Sequence, residues 1–256
     1  MEVINGVWYM NGISRRDKNC VLSSGRLLEI IEDVGFLPLF SNEINGFSVE
    51  NMTDPSSWWT GNENKDPWEW RIVLSRTGKV AYGKFFGGRA GFISKKWFPC
   101  FANYRRNGYD FDALYDDGKA GRREKLLMDL FVPQGVDMWK VDPQNLESLG
   151  CSPELFTFEM KEKAGFGKGG EKNFEGVLTR LQMQTYLIAR DFRPRLNKKG
   201  EEYGWPVAIM TPPEYLWGYT HVTSRYKESP DASFAKIARQ IGKHFDADEK
   251  GVRKVI

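Results

Sequence analysis

The order of signals between residues 122 and 210 constrains this chain more than any other feature. Arg122 to Phe131 carries Leu126, Leu127, Leu130 and Phe131 on one side and stops at Pro133, the pattern of an amphipathic helix. Asp142-Pro143 starts a short helix ending at Gly150, and Ser152-Pro153 starts another through Phe156 and Met160 to Ala164. After a glycine-rich turn, a helix from about Asn173 to Gln184 places Phe174, Val177, Leu178 and Leu181 at i, i+3, i+4 and i+7. Two β-prone runs, 185–192 and 205–210, then flank the polar turn Asn197-Lys198-Lys199-Gly200. Helices, turn, helix and hairpin is the order of a winged helix-turn-helix module.

The first half carries a weaker echo. Ser23-Ser24 precedes Leu27, Leu28, Ile31 and Val34, an amphipathic run stopped by Gly35 and Pro38. Residues 41–66 are rich in Asn, Ser, Asp and Gly and read as irregular, with Trp58 and Trp59 anchoring them to the core. Asp66-Pro67-Trp68-Glu69 is a helix start: Asp66 accepts free amide hydrogens, Pro67 fits the first turn and Glu69 completes a capping box. That helix runs to about Arg76. A hairpin follows, from Lys79 to Phe86, through Gly87-Gly88, and back along Ala90 to Ile93. Ser94 then caps an aromatic segment holding Trp97, Phe98 and Tyr104.

A helix feeding a hairpin thus occurs at 67–93 and again at 173–210. The expected fold class is α+β on winged helix-turn-helix architecture, with room for two winged-helix-like modules. Residues 107–118 are acidic and turn-rich, and the composition turns basic at Lys119. The expected regions are therefore 1–117, an N-terminal α+β region, and 118–256, a winged-helix region with terminal helices. In the latter, 213–217 reads as a short helix and Ala232 to His244 as a longer one, with Phe234, Ile237, Ala238 and Ile241 inward.

Composition removes several function classes. Two histidines cannot build a histidine-rich metal site, and 9 Trp, 10 Tyr and 17 Phe do not suit a disordered tail. Cys20, Cys100 and Cys151 are far apart with no Cys-x-x-Cys, which argues for reduced, mostly buried thiols in a cytoplasmic protein. Nothing local supports one of them as a nucleophile with His221 or His244. Met1 to Gly12 lacks the apolar run of a signal peptide, and no stretch approaches the roughly 18 apolar residues of a membrane span. Gly165 to Gly170 matches Gly-x-Gly-x-x-Gly, but it follows a helix rather than a strand, so it reads as a turn. Asp110, Asp112, Asp116 and Asp117 lack calcium-loop spacing and sit near Arg105 and Arg106, an ordinary charge balance. No metal and no cofactor is expected.

The net charge of +3 is too small to identify a nucleic-acid partner, so a basic surface must be found locally. The 173–184 helix shows Glu175, Gly176, Thr179, Arg180 and Met183 opposite its apolar face, with Lys172 just ahead of it. Behind it, Arg190, Arg193, Arg195, Lys198 and Lys199 face a single Asp191. In a winged helix the third helix enters the major groove and the hairpin reaches backbone phosphates, where cations release condensed counterions. These eight residues, Lys172, Thr179, Arg180, Arg190, Arg193, Arg195, Lys198 and Lys199, are the expected contacts to double-stranded DNA. The aromatics between Trp58 and Phe98 read mainly as core. Trp68 and Trp70 are the candidates for stacking a base, with Glu69 between them as a candidate catalytic residue.

Over Phe174 to Phe192, and at Asp66 to Arg71, Gly91 to Lys95 and Tyr203 to Trp205, the chain resembles the winged-helix proteins around the AlkZ and YcaQ DNA glycosylases. It looks closest to the smaller bacterial group called AlkZ-related proteins, across about 60–240. In those glycosylases a Gln-apolar-Gln motif is implicated in hydrolysing the bond between an alkylated base and its sugar. Gln182-Met183-Gln184 has that pattern. The resemblance therefore implies Gln182 and Gln184 as catalytic residues, with a role in recognising or repairing damaged DNA. A glutamine can position a water and share developing charge without titrating. The family motif lies nearer the N-terminus, however, and helical spacing sets the two glutamines about 160° apart. The competing classes are a DNA-binding or regulatory protein without the chemistry, and a protein-interaction module using the aromatics.

Overall fold

The computed structural model describes residues 2–4 and 7–256, with side chains from Tyr9 onward. The leader-free reading of residues 1–12 therefore falls partly outside the described residues. Near the start, β1 (Glu2–Ile4) and β2 (Val7–Tyr9) form a separate two-stranded ribbon.

The first unit begins with α1 (Ser24–Val34), opened by the Ser23 hydroxyl accepting from the Arg26 amide at 3.2 Å. It ends at Gly35, whose φ of 101° and contact with Trp97 exclude a side chain: a Cβ there would lie 2.3 Å from the indole. Then come β3 (Phe36–Pro38), α2 (Pro67–Arg76), β4 (Val80–Phe86) and β5 (Arg89–Ser94). The Asp66 carboxylate accepts from the Trp68 amide at 2.8 Å, so the sequence-read start of α2 is the real one. Three helices connect the units: α3 (Phe98–Arg106), α4 (Phe111–Asp116) and α5 (Arg122–Met128). The second unit adds β6 (Leu155–Phe156), α6 (Thr157–Lys163), α7 (Phe174–Met183), β7 (Ile188–Leu196) and β8 (Glu202–Thr211). Four helices finish the chain: α8 (Pro213–Trp217), α9 (Tyr219–Val222), α10 (Pro230–His244) and α11 (Glu249–Val255).

The fold is α+β. One antiparallel six-stranded sheet has the order β3-β5-β4-β7-β8-β6. That order is a palindrome: short strand, second hairpin strand, first hairpin strand, then the same three reversed. The succession α5, β6, α6, α7, β7, β8, with β6 beside β8, is compatible with a winged helix-turn-helix. The first unit repeats the plan with one helix fewer. Each boundary of α7 lies 107 positions after that of α2 (67 to 174, 76 to 183). The pair joining the halves, Tyr82 with Ala189, has the same offset (82 to 189). Equivalent residues meeting each other is what a two-fold relation between the units produces.

Some elements differ from their sequence signals. Asp142 to Gly150 forms only a 3₁₀ turn at Glu147–Leu149. Ser152-Pro153 leads into β6 before α6 starts. Within the acidic 107–118 segment, α4 forms because Phe111 and Leu114 bury one face of a single turn and a half. Trp58 is buried and donates its Nε1 hydrogen to Thr53 Oγ1 at 3.0 Å, whereas Trp59 stays exposed.

The regions 1–117 and 118–256 share one hydrophobic core, with Phe36, Phe92 and Phe101 in the same cluster as Leu127, Leu181 and Ile237. Yet β4 and β7 meet in register at a single residue pair. Side chains complete the seam. Gln182 Oε1 accepts from the Lys84 amide at 3.1 Å, and Lys84 Nζ donates to Thr179 Oγ1 at 3.1 Å. From the other side, Arg76 pairs with Asp191 at 2.6 Å and donates to the Phe192 carbonyl at 3.1 Å. Arg190 donates to the Ser75 carbonyl at 2.9 Å.

A buried guanidinium ties the helices to this seam. Arg106 of α3 pairs with Glu214 at 2.5 Å, both almost fully buried. It also donates to the Thr185 hydroxyl at 3.1 Å and to the Thr185 carbonyl at 2.5 Å, and stacks 4.4 Å over Tyr186. Burial alone would discharge Arg106, but Glu214 outweighs it and holds the guanidinium charged. Thr185 sits at φ 66°, a left-handed conformation that a β-branched residue adopts only when its surroundings impose it. Arg106→Ala leaves Glu214 as an uncompensated buried charge and should cost about 3–5 kcal/mol, read as a fall in the urea unfolding midpoint.

Candidate nucleic-acid interface

The outer part of the second hairpin is exposed throughout, from Arg195 to Trp205. Its tip is built by Asn197, whose Oδ1 accepts from the amides of Lys199 (2.8 Å) and Glu201 (3.0 Å). Gly200, at φ 80°, completes the reversal. Lys198 and Lys199 at this tip are exposed and form no ion pair among the described residues. Just behind them Leu196 is 63%, Tyr203 49% and Trp205 76% exposed, large apolar groups that no core contact holds. A solvated ribbon has no folding reason to carry all three.

A groove of about 770 Å³ runs along this hairpin, lined by Arg76, Phe156, Phe158, Arg193, Arg195 and Leu196. That lies within the usual range for ligand sites, about 300–1,000 Å³. Phe156 and Phe158 stack at 5.0 Å, and Arg195 lies 5.0 Å over Phe158. Arg193 pairs with Asp191 at 2.7 Å and Glu154 at 3.7 Å. Burial pushes the Asp191 carboxyl up, but hydrogen bonds from Arg76, Arg193 and the Phe192 amide bring it below the usual carboxylate range. Arg193 is therefore ion-paired, while Arg195, Lys198 and Lys199 form no ion pair among the described residues.

The remaining sequence-read contacts are engaged elsewhere or stand apart. Arg180 pairs with Glu124 at 2.6 Å, Arg190 holds Ser75, and Thr179 accepts from Lys84. Lys172 is exposed ahead of α7. The first hairpin packs over part of the outer arc of α7: a Cβ at Gly88 would lie 3.7 Å from Thr179 and 3.9 Å from Met183. α7 is therefore not a bare recognition helix, a correction to the sequence reading.

Of the two tryptophans read as base-stacking, burial removes Trp70 and leaves Trp68 partly exposed. Trp70 is 1% exposed, a core residue. Trp68 lies with the Arg71 guanidinium 3.7 Å over its ring and Phe40 6.4 Å away. Burial raises the Glu69 carboxyl against the opposing pull of Arg71, 4.0 Å away. Gln182 is buried in the seam, its Nε2 donating to the Leu178 carbonyl at 3.3 Å. Gln184, which ends α7, is half-buried and forms no side-chain hydrogen bond among the described residues. None of Trp68, Glu69, Gln182 and Gln184 lines the hairpin groove. The exposed aromatics of the second hairpin were missed because Trp205 read as the start of a β-prone run and Tyr203 only as part of the resemblance. The signal was available: a strand rich in rings beside a lysine turn has no core-facing partner across the ribbon.

A partly open pocket of about 110 Å³ lies between α3, α4 and α5, lined by Arg106, Asp110, Phe111, Met128, Tyr186 and Glu214. Asp110 accepts from the Tyr219 hydroxyl at 2.8 Å. Burial nevertheless pushes its carboxyl above the usual range. Among the described residues, no group of three or more His, Cys, Asp or Glu is arranged to hold a metal. The three cysteines are buried and unbridged, and no helix among these residues is long and apolar enough to cross a membrane.

An α+β chain with a paired-unit sheet and one free basic, aromatic hairpin is the class these features define. Residues 21–256 match the AlkZ-related family, and the chain belongs to it. No curated protein and no solved structure matches the chain.

The raised Asp110 gives a pH test. The folded state holds this proton more tightly than the unfolded chain, so the contribution of Asp110 to stability is fully present below about pH 4, the ordinary carboxylate value, and is lost as pH rises through the higher folded value. Asp110→Asn removes that loss while keeping an acceptor for Tyr219. Its urea midpoint should equal or exceed wild type at pH 7, with a flatter pH profile above pH 4.

Proposed function

We propose that the chain binds double-stranded DNA through the second hairpin and recognises damaged sites in it. One observation carries this reading: Leu196, Tyr203 and Trp205 stand exposed beside the unpaired Lys198 and Lys199 on one projecting ribbon. Cations at such a tip meet phosphates, and exposed rings beside them stack on or wedge between bases. Membership in the AlkZ-related family supports a DNA glycosylase-like or DNA-binding role. Damaged and mismatched bases are the cheapest to unstack, which favours such a ribbon at lesions.

The engagement of Gln182 with the Lys84 amide favours a second reading, in which the chain binds DNA without excising a base. Catalysis, if retained, then falls to Gln184, whose amide is not engaged. A glycosylase assay on alkylated duplex separates the two. Activity in wild type that survives Gln182→Ala in folded protein but disappears in Gln184→Ala supports excision; no wild-type activity supports binding alone.

For the interface itself, the double variant Lys198→Glu, Lys199→Glu should weaken duplex binding in mobility-shift titrations. The slope of log affinity against log salt should shrink by about 0.9 for each phosphate that is no longer neutralised. Trp205→Ala should lose affinity with an unchanged salt slope, because a ring releases no counterions. Wild-type affinity in both variants would remove the hairpin from the interface.

A further inference from the structure

A second groove, of about 560 Å³, lies where α2 hands over to β4 and β5 ends. It is formed by Glu32, Gly78, Lys79, Ser94, Lys95 and Lys96, with His221 closing one side. We infer that it is a binding site for a phosphate group.

The walls are fixed before any ligand arrives. The Lys95 amide donates to the Lys79 carbonyl at 2.8 Å, and His221 Nε2 lies 2.9 Å from the Lys95 carbonyl. The Ser94 amide donates to the Gly35 carbonyl at 2.8 Å, and Trp217 Nε1 donates to the Gly78 carbonyl at 2.7 Å. Into this frame Ser94 contributes a hydroxyl that is buried and has no partner among the described residues, and the residue is only 3% exposed. A buried hydroxyl without a partner is costly, and native structures keep few of them.

The charges around that hydroxyl are of one sign, with a single exception. Lys95 and Lys96 are exposed and unpaired, and Lys79 is held only loosely by Glu32 at 3.9 Å. α3 begins two residues after Lys96 with no side-chain cap on its N-terminus. Three ammonium groups and one hydroxyl donor match the acceptors of a phosphate.

The source of that phosphate is either the backbone of a nucleic acid or a free phosphate or nucleotide. The strand register favours the backbone. β7 runs antiparallel to β4, so the second hairpin projects past the Lys79 end of β4. Arg76 lines the hairpin groove and Gly78 this one, so the two grooves flank the same last turn of α2.

Amide resonances of 94–98 in the full chain report on the site during titration with sodium phosphate, against sodium chloride at matched ionic strength. Phosphate should move them, and Lys95→Glu with Lys96→Glu should lose at least about tenfold in phosphate affinity. Ser94→Ala should lower phosphate affinity while leaving thermal stability unchanged or raised, which a hydroxyl serving the fold alone would not do. Adding a DNA duplex assigns the source: displacement of phosphate identifies the nucleic-acid backbone, and duplex binding without displacement identifies free phosphate. Resonances indifferent to both phosphate and duplex, or a Lys95, Lys96 variant that responds like wild type, would overturn the inference. The site does not depend on the hairpin, so the Lys198, Lys199 variant should bind phosphate as wild type does.

Discussion

Everything in this sheet depends on a seam one residue pair long. Tyr82 and Ala189 bring β4 and β7 together, and beyond them the strands part. Backbone groups left at such a parting need partners or water. Gln182 supplies one by accepting from the Lys84 amide, and Arg76 supplies another by donating to the Phe192 carbonyl. The helices α2 and α7 thereby take over a task that strand pairing normally performs. Arg106 then holds the strained Thr185 that leads out of α7 into β7. A polar side chain at position 182 is required for this join whether or not it has a chemical role.

That accounts for what the sequence could disclose and what it could not. Local rules sufficed where the determinants are local. The Asp66 cap, the apolar stripe of α7, the Gly87-Gly88 turn and the Asn197 reversal all act within a few residues, and each is where the pattern puts it. The α5-to-β8 order, with its winged helix-turn-helix compatibility, follows from those. β3, β6 and α11 escaped because short elements draw their stability from tertiary neighbours. The site was harder. Whether Arg180 meets solvent or Glu124, 56 positions away, is not written near Arg180. Trp68 and Trp70 sit two residues apart on α2, and only packing buries one and sets Arg71 over the ring of the other.

The resemblance to glycosylases was informative about lineage and less so about roles. It identified the family over most of the chain. The glutamine pattern it highlighted falls on a helix end whose first member already has a structural occupation. A motif three residues long carries its chemistry only when the surrounding fold leaves the side chains free.

The two hairpins are equivalent by position but unequal in fate. The first is enclosed: Phe85 and Phe86 are buried, Arg105 holds the Phe85 carbonyl, and Gly87 approaches the Lys254 carbonyl. The second is longer and unclaimed. A two-fold object with both ribbons free would suit a palindrome and would read each strand alike. Sealing one ribbon gives the molecule a polarity. On the proposed reading of damaged DNA, a lesion sits in one strand with no partner across a dyad, and one free ribbon rather than two like ones suits it.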